Sequence, residues 1–197
     1  MSDTETLKIY AAKADEYASL TESAVVSDPN LKAFVQTLAR GGHVLDLGCG
    51  PGGAAHVMAD AGLLVTATDA VPEMVALAGA HPNVTARLAT FDDITGTALY
   101  DGVWANFSLL HAPRADMPCH LTAIHRALKP GGSFHIGLKT GTGSSRDRLG
   151  RLYTYYSDDE LSALLAQAGF TITGRTFGRD RGLDGTPADW IVIRAHA

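Results

Sequence analysis

The sequence predicts an α/β fold, in which the strands of one mostly parallel sheet alternate with helices. Short apolar and β-branched runs are followed by helix-forming segments along most of the chain, and the first such run leads into a glycine-rich loop. The first two runs each end close to a carboxylate. Parallel pairing is expected because strands joined through a helix have crossovers of about a dozen residues or more.

The length and composition are those of one domain with its own core. The chain has 197 residues, of which 46% are hydrophobic and 19% are charged. Residues 1–197 are therefore predicted to form a single domain. The formal net charge is −5, from 16 lysines and arginines against 21 aspartates and glutamates. A net negative charge repels polyphosphates, so nucleic acid is not expected as a partner.

The cysteines and the N-terminal residues indicate a cytoplasmic protein. Cys49 and Cys119 lie far apart, with no cluster of cysteine and histidine around them, so neither a disulfide framework nor a metal site is expected. Residues 1–5 lack the basic and apolar pattern of a signal peptide, and no apolar run approaches the ~20 residues of a membrane span. We therefore expect a cytoplasmic chain without a membrane partner or a metal, and no oligomeric state is indicated.

The N-terminal part is predicted to be helical up to the first strand. Residues 5–39 favour one or two helices, with a break near the Ser-Asp-Pro sequence at 27–29. Residues 43–47 form a short apolar run typical of a strand. The alanine-rich segment 54–61 then favours a helix that ends at Gly62.

The same strand and helix unit repeats through the middle of the chain. Residues 63–69 are apolar and β-branched, and Pro72 suits the first turn of a helix that continues to residue 80. Further strands are predicted at 84–89, 102–107 and 133–138, with a helix at 114–128 before a Lys-Pro-Gly-Gly turn at 129–132.

The C-terminal third predicts a helix followed by two paired strands. Ser157 and Glu160 have the spacing of a capping box, which favours a helix up to residue 168. Residues 170–177 and 190–196 alternate as strands. No helix separates these two strands, so they are expected to pair antiparallel at the edge of the sheet.

The glycine-rich loop predicts a nucleotide-like ligand. Gly48, Gly50 and Gly53 join the first strand to its helix, where the backbone and the helix N–H groups are expected to face the ligand. The same glycines satisfy Gly-x-Gly-x-x-Gly, so the loop fits both a nicotinamide dinucleotide and S-adenosylmethionine.

Two carboxylates favour the second of these ligands. Asp46 lies in a buried strand, where a carboxylate is costly unless it meets a cation, and the ammonium of a methionyl group is such a cation. A pyrophosphate would instead be repelled. Asp69 ends the second strand about 20 residues after the loop, where a carboxylate accepts ribose hydroxyls.

Four motifs in order resemble the class I S-adenosylmethionine-dependent methyltransferases over almost the whole chain. They lie at residues 44–53, 68–70, 100–105 and 128–132. The resemblance implies a doubly wound, Rossmann-like sheet of seven mostly parallel strands with one antiparallel edge strand. It also implies S-adenosyl-L-methionine as cofactor and S-adenosyl-L-homocysteine as product.

The resemblance further assigns residues to the cofactor. Gly48 and Gly50 would flank the methionyl part, with Ala70 against the adenine, Met74 nearby and Asp92 near the adenine amino group. Phe91 accompanies Asp92, although Asp93 is an equally acidic neighbour and the choice between the two stays open. Asn106, at the end of the fourth strand, is placed in the same site.

The acceptor is expected beside residues 106–111, which leave the fourth strand at the carboxyl edge of the sheet. His111 has the reference pKa of a base that works near neutral pH, so it is the candidate catalytic residue. A packed histidine before Pro113 is the alternative, and the sequence leaves both interpretations open.

Residues 139–156 predict an anion-binding wall over the same edge. Lys139, Arg146, Arg148 and Arg151 are followed by tyrosines, and Lys139, Arg148 and Tyr155 are the candidate substrate-binding residues. A solvated loop is the alternative. This segment also resembles a subgroup of small bacterial proteins similar to tellurite-resistance methyltransferases.

Tyr10 and Tyr17 are seven residues apart and share one face of the predicted first helix. Core packing explains this spacing by itself. In similar methyltransferases this region lies across the cofactor cleft, so residues 1–40 are interpreted as a helical lid over the core at 41–197, with Tyr17 in contact with the cofactor.

These observations predict a methyltransferase that acts on a small-molecule acceptor, expected to be anionic. With the whole chain taken up by one domain, no separate domain remains to recognise a protein or nucleic acid. Two alternatives stay open: a protein that binds S-adenosylmethionine without catalysis, and a nicotinamide-dependent oxidoreductase.

Overall fold

The computed structural model describes residues 3–197, apart from the side chain at position 22. The N-terminal expectations on localisation and on the lid begin at residues 1 and 2, which lie outside the described residues. The strands are β1 (His43–Leu47), β2 (Leu64–Asp69), β3 (Val84–Leu88), β4 (Tyr100–Asn106), β5 (Leu128–Lys139), β6 (Ser144–Arg146), β7 (Leu152–Thr154), β8 (Thr171–Arg181) and β9 (Pro187–His196).

Seven of the described strands form one sheet in the order β3-β2-β1-β4-β5-β9-β8. The first five strands of that order pair in parallel, whereas β9 runs antiparallel to both of its neighbours. The doubly wound, mostly parallel sheet predicted from the sequence is therefore confirmed. The antiparallel strand lies between β5 and the outermost strand β8.

The helices cover both faces of this sheet. They are α1 (Thr4–Ala12), α2 (Ala14–Ser27), α3 (Pro29–Gln36), α4 (Gly53–Asp60), α5 (Pro72–Ala78), α6 (Met117–Ala127) and α7 (Asp158–Gln167). Within residues 3–197, none of the helices has the length and apolar character that crossing a membrane requires.

The N-terminal region is divided into three helices where the sequence predicted one or two. Asp28 caps α3, as its position before Pro29 predicts, and its side chain accepts from the Asn30 N–H at 2.8 Å. An additional break at Lys13 separates α1 from α2. Tyr10 and Tyr17 therefore lie on different helices, although their rings meet edge to face with centroids 5.6 Å apart.

Apolar layers hold the helices to the sheet on each face. On one face, α6 and α7 pack on β4, β5 and β9, with Leu121, Leu165 and Ile136 completely buried. On the other face, α3 and α4 pack on β1, β2 and β4, and the Phe34 ring lies 5.2 Å from that of Trp104. Both faces of the central strands are covered, which is typical of a parallel sheet.

Two local predictions differ from the structure. The Lys-Pro-Gly-Gly segment, predicted as a turn before the strand, lies inside β5. It coincides with a shift in the register between β4 and β5, between Tyr100 and Gly102. At α7, the Ser157 hydroxyl accepts from the Glu160 N–H at 3.2 Å, which is half of a capping box. The Glu160 carboxylate pairs instead with Arg114, a residue distant in sequence.

The basic segment is more ordered than its glycines and serines suggested. Strands β6 and β7 form a two-stranded antiparallel hairpin within it, and this hairpin contacts the N-terminal helix. The Leu152 N–H donates to the Thr6 hydroxyl at 2.9 Å. The hairpin therefore joins α1 to the core beside the carboxyl edge of the sheet.

Candidate active site

A cavity of about 570 Å³ opens at the carboxyl edge of the sheet. Its floor consists of residues at the ends of β1, β2 and β4, among them Asp46, Asp69 and Asn106. Tyr10 and Tyr17 contribute from α1 and α2. The cavity thus lies where open α/β sheets bind ligands, between strands whose connections run to opposite faces.

Asp46 carries a buried carboxylate without a complete set of partners. The residue is 2% exposed, and its Oδ2 atom has no hydrogen-bond partner. Burial, together with the nearby Asp69 carboxylate, raises the pKa of Asp46 to about 8. An orphaned carboxylate oxygen in a cavity is a site for a cation or a strong donor.

The glycine-rich loop does not direct its first N–H groups toward the cavity. The N–H groups of Gly48 and Cys49 both donate to the Thr68 carbonyl, at 2.8 and 2.9 Å. Gly48 is required for another reason: it has φ +70°, and a Cβ there would lie 2.4 Å from the Ser108 Cβ. The loop therefore provides close backbone approach.

Asp69 is oriented by the backbone around it. Its two carboxylate oxygens accept from the N–H groups of Gly50 and Val71, each at 2.9 Å. Burial raises the pKa of Asp69, and these N–H groups oppose that effect. The carboxylate is held at the cavity wall with lone pairs left to accept further hydrogen bonds.

Most of the remaining predicted cofactor residues line the cavity. Ala70, Met74, Phe91 and Asn106 line the cavity with Asp46, Asp69, Gly48, Gly50 and Tyr17. The Tyr17 ring lies over the loop, since a Cβ on Gly50 would be 3.6 Å from Tyr17 Cε1.

The two acidic candidates for the adenine end differ in their contacts. Asp93 is used in a cap, because its carboxylate accepts from the Thr90 N–H and hydroxyl, both at 2.8 Å. Asp92 has a side chain 54% exposed, 4.0 Å from His120 Nε2, outside the cavity wall formed by the described residues. Its adenine contact stays a prediction.

His111 lies in the cavity wall with both ring nitrogens in contact. Its Nδ1 atom is 2.7 Å from the Leu152 carbonyl, which only accepts, so Nδ1 carries the proton. Its Nε2 atom then accepts from the Tyr10 hydroxyl at 2.9 Å. Burial lowers the pKa of His111 to about 4, so the ring is neutral at pH 7.

Contrary to the predicted anion-binding wall, none of the four basic residues lines the cavity within residues 3–197. Arg151 is buried and pairs with Asp147 at 2.7 Å, and Arg146 pairs with Asp3 at 2.9 Å. The Lys139 ammonium lies 3.8 Å from the centre of the Tyr153 ring. Arg148 is exposed, and Tyr155 is also outside the cavity wall.

Sequence reasoning missed the wall formed by the C-terminal strands. Thr176, Asp180 and Trp190 line the cavity beside Phe107, whereas the sequence predicted the two strands β8 and β9 only as the edge of the sheet. Their alternating pattern predicted strands, and only the register between the strands places these side chains together.

The region around the cavity is similar in sequence to known methyltransferases. Residues 44–132 match the protein-family model for a methyltransferase domain. A ubiquinone biosynthesis O-methyltransferase from Xanthomonas oryzae pv. oryzae is 36% identical over 103 residues, 49% of this chain and 42% of that protein. A ubiquinone/menaquinone biosynthesis C-methyltransferase from Rubrivivax gelatinosus is 36% identical over 108 residues, with 52% and 42% covered. The alignment therefore spans less than half the length of each of these relatives.

The similarity in structure extends over nearly the whole chain. The Burkholderia thailandensis 1,6-didemethyltoxoflavin-N1-methyltransferase, solved with 1,6-didemethyltoxoflavin and S-adenosylhomocysteine, superposes with a TM-score of 0.79. It is 26% identical, and the match covers 98% of this chain and 87% of that one. The fold is that of the S-adenosylmethionine-dependent methyltransferases. Residues 44–132 match a methyltransferase domain, and S-adenosylmethionine is the cofactor that the fold and these matches indicate.

The residues of the cavity fit this cofactor. The orphaned Asp46 oxygen offers a buried negative charge to the methionyl ammonium, and Asp69 offers acceptors to the ribose hydroxyls. Gly48 and Gly50 keep the loop backbone free of side chains between these two carboxylates. Once ionised, either carboxylate repels a pyrophosphate at the same place.

Asp69→Ala is expected to weaken S-adenosylhomocysteine binding by roughly 10- to 100-fold, because hydrogen bonds to a charged acceptor contribute ~1.5–3 kcal/mol. Titration calorimetry measures this difference directly. Asp93→Asn, which alters a carboxylate used only in a cap, serves as the control and should bind as the wild type does. Equal affinities for Asp69→Ala and wild type would exclude Asp69 from the ribose site.

Proposed function

We propose that this protein transfers a methyl group from S-adenosylmethionine to a nucleophilic atom of a small molecule. The observation that carries the proposal is the buried Asp46 oxygen without a partner, in a cavity that it shares with the backbone-oriented Asp69. When bound, the cofactor supplies a methyl group on an electrophilic sulfonium. The protein has to place the acceptor in line with that methyl group and to exclude water.

The chain's own residues supply binding and orientation. Asp46 holds the methionyl ammonium and Asp69 the ribose, while Ala70, Met74, Phe91 and Asp92 surround the adenine. Residues 1–40 act as a lid over the core at 41–197. The Tyr17 ring over Gly50 and the Thr6 contact with Leu152 support this division.

The relatives support a small-molecule acceptor. The named reactions of the two quinone-pathway enzymes and of the toxoflavin-pathway enzyme are methylations of small molecules. An anionic acceptor has no support from the cavity, because Lys139, Arg148 and Tyr155 lie outside its wall. The narrower resemblance to tellurite-resistance methyltransferases stays a prediction that no cavity contact supports.

Release of S-adenosylhomocysteine tests the proposal against its alternatives. The purified protein is incubated with S-adenosylmethionine and a deproteinised metabolite extract, and product formation is followed by mass spectrometry. Acceptor-dependent release that is strongly reduced in Asp69→Ala supports the methyltransferase. Tight cofactor binding without turnover across a broad acceptor panel would indicate a binding protein, and preference for NADH would indicate an oxidoreductase.

His111→Ala is expected to lower kcat by less than about tenfold, because a neutral histidine whose Nε2 is occupied by Tyr10 is a weak base. Tyr10→Phe removes the same hydrogen bond and should give a similar small effect. The measurement is kcat against pH with the acceptor found in the extract. A loss above about 100-fold in His111→Ala, with a titration near pH 6.5, would make His111 the general base.

A further inference from the structure

The end of the cavity next to the C-terminal strands has aromatic walls. Trp190 pairs with Gly178 and Val192 pairs with Thr176 in the antiparallel register of β8 and β9, so these residues share one face of the sheet. Trp190, Thr176 and Val192 line the cavity together with Phe107, which follows β4. In the strand order, β4 and β5 separate β9 and β8 from β1 and β2, which carry Asp46 and Asp69.

Trp190 is fixed in place by a residue without a side chain. A Cβ on Gly178 would lie 2.1 Å from the Trp190 Cζ2 atom and 2.5 Å from Cε2, so the indole rests directly on the Gly178 backbone. The indole N–H donates to Asp180 Oδ2 at 2.8 Å, which sets the orientation of the ring. These two contacts fix the Trp190 indole in the absence of a ligand, and we call this fixed ring the Trp190 platform.

Phe107 completes the aromatic wall at some conformational cost. Its ring centroid is 6.1 Å from that of Trp190, and the two planes meet at 82°. Phe107 has φ 53°, in the left-handed region that bulky residues rarely adopt. Its N–H donates to the Gly137 carbonyl at 2.9 Å, which holds the backbone in this conformation.

The charges around the cavity disfavour an ionised acceptor. The fully charged residue types in its wall are all aspartates, and no lysine or arginine contributes within residues 3–197; the five are Asp3, Asp28, Asp46, Asp69 and Asp180. Asp3 is paired with Arg146, so the repulsion of an anion comes from the other carboxylates, of which Asp180 lies next to the Trp190 ring. A cation would face the sulfonium of the cofactor, while Asp180 is already engaged by the indole N–H.

We propose that the acceptor is an uncharged, planar aromatic or heteroaromatic molecule that stacks on Trp190. The inference rests on the proposed function, since it names the substrate class of the same site. An offset-stacked ring on the indole, with the Phe107 edge beside it, places an atom of the acceptor plane toward the cofactor. The flat Trp190 ring favours a planar acceptor, the aspartates disfavour an anion, and the sulfonium of the cofactor disfavours a cation.

The test uses matched probes on the full chain saturated with sinefungin, a cofactor analogue whose amine places a positive charge near the position of the sulfonium. Quinoline-3-carboxamide, quinoline-3-carboxylate and 1-methyl-3-carbamoylquinolinium share one bicyclic ring and differ in charge. Decalin-2-carboxamide is uncharged but not planar. Binding is followed by the ¹H–¹⁵N signal of the Trp190 indole, which is assigned by its disappearance in Trp190→Phe.

We expect the uncharged quinoline to shift the Trp190 signal and to bind about tenfold more tightly than the anionic, cationic and saturated probes. Gly178→Ala keeps the tryptophan but displaces its ring, and it should weaken quinoline-3-carboxamide by about tenfold. Phe177→Ala, at an exposed neighbour on the opposite face of β8, is the control and should change nothing. Trp190→Leu repeats the test if Gly178→Ala does not fold.

The failures of the two proposals are distinguishable by calorimetry with S-adenosylhomocysteine. If the wild type did not bind S-adenosylhomocysteine, the proposed function would be overturned. Normal cofactor binding, with the anionic or cationic quinoline bound equally well or better, would overturn only the neutral aromatic acceptor. The neutral aromatic acceptor would also be overturned if quinoline-3-carboxamide bound without shifting the Trp190 signal. Equal affinity of quinoline-3-carboxamide for the wild type, Gly178→Ala and Trp190→Leu would overturn it as well.

Discussion

Asp46→Asn is expected to weaken S-adenosylhomocysteine binding by roughly 30- to 5,000-fold, the largest effect of any single change in the cavity. Removing one partner of a buried, hydrogen-bonded charge pair costs about 2–5 kcal/mol, because the other charge is left without its counterion. The variant keeps the shape of the side chain. It loses only the negative charge that the ammonium of the ligand requires.

Binding to the wild type should also release a proton. With a pKa of about 8, the Asp46 carboxyl is mostly protonated at pH 7 in the free protein. Pairing with an ammonium favours the ionised form, so binding at pH 7 should release most of a proton per ligand. The affinity therefore rises as the pH is raised from 7 toward 8, and it levels off once the free protein has itself lost this proton.

Calorimetry in two buffers of different ionisation enthalpy measures the released proton at constant pH. Asp46→Asn should release much less, since the asparagine has no titrating group. Asp69 is the other buried acid of the cavity; burial raises its pKa too, and its N–H partners oppose this rise. Undiminished proton release by Asp46→Asn would contradict the assignment of this proton to Asp46.

The sequence reveals most of the cofactor end of the site because its determinants are local. Asp46 and Asp69 stand in or at the end of short apolar runs, and the glycines between them follow a strand directly. Parallel strands bring their carboxyl ends to one edge, so the two carboxylates meet without any knowledge of distant contacts. Residue spacing alone is enough for this part of the prediction.

The acceptor end depends on contacts between distant residues, which spacing does not reveal. The Trp190 platform requires the register that sets this residue opposite Gly178. The basic segment reads as four free cations, whereas Arg146 and Arg151 meet carboxylates of α1 and of the hairpin. The positive charges in the sequence predicted an anion site, but in the fold Arg146 and Arg151 form ion pairs with carboxylates.

The buried pair of Arg151 and Asp147 leads to the largest expected effect on stability. Arg151 is 1% exposed, and its Nε and Nη2 atoms donate to Asp147 Oδ2 at 2.9 and 2.7 Å. Its Nη1 atom donates to the Tyr10 hydroxyl at 2.9 Å, which connects the hairpin to α1. Removing one member leaves the other charge buried without compensation.

Arg151→Met is therefore expected to lower the free energy of unfolding by about 3–5 kcal/mol, measured by urea denaturation. Arg146→Met is the matched control on the same hairpin. Its pairs with Asp3 and Glu5 are partly exposed, so the loss should stay below about 1 kcal/mol.

The double variant Asp147→Asn with Arg151→Met separates the cost of an unpaired charge from the value of the pair. Because it removes both charges, it should recover a large part of the stability that Arg151→Met loses. The Tyr10 hydroxyl loses its donor in both variants but keeps His111 as a partner. Equal losses in Arg151→Met and Arg146→Met, or a double variant no more stable than Arg151→Met, would show that the buried charge is not what makes Arg151 necessary.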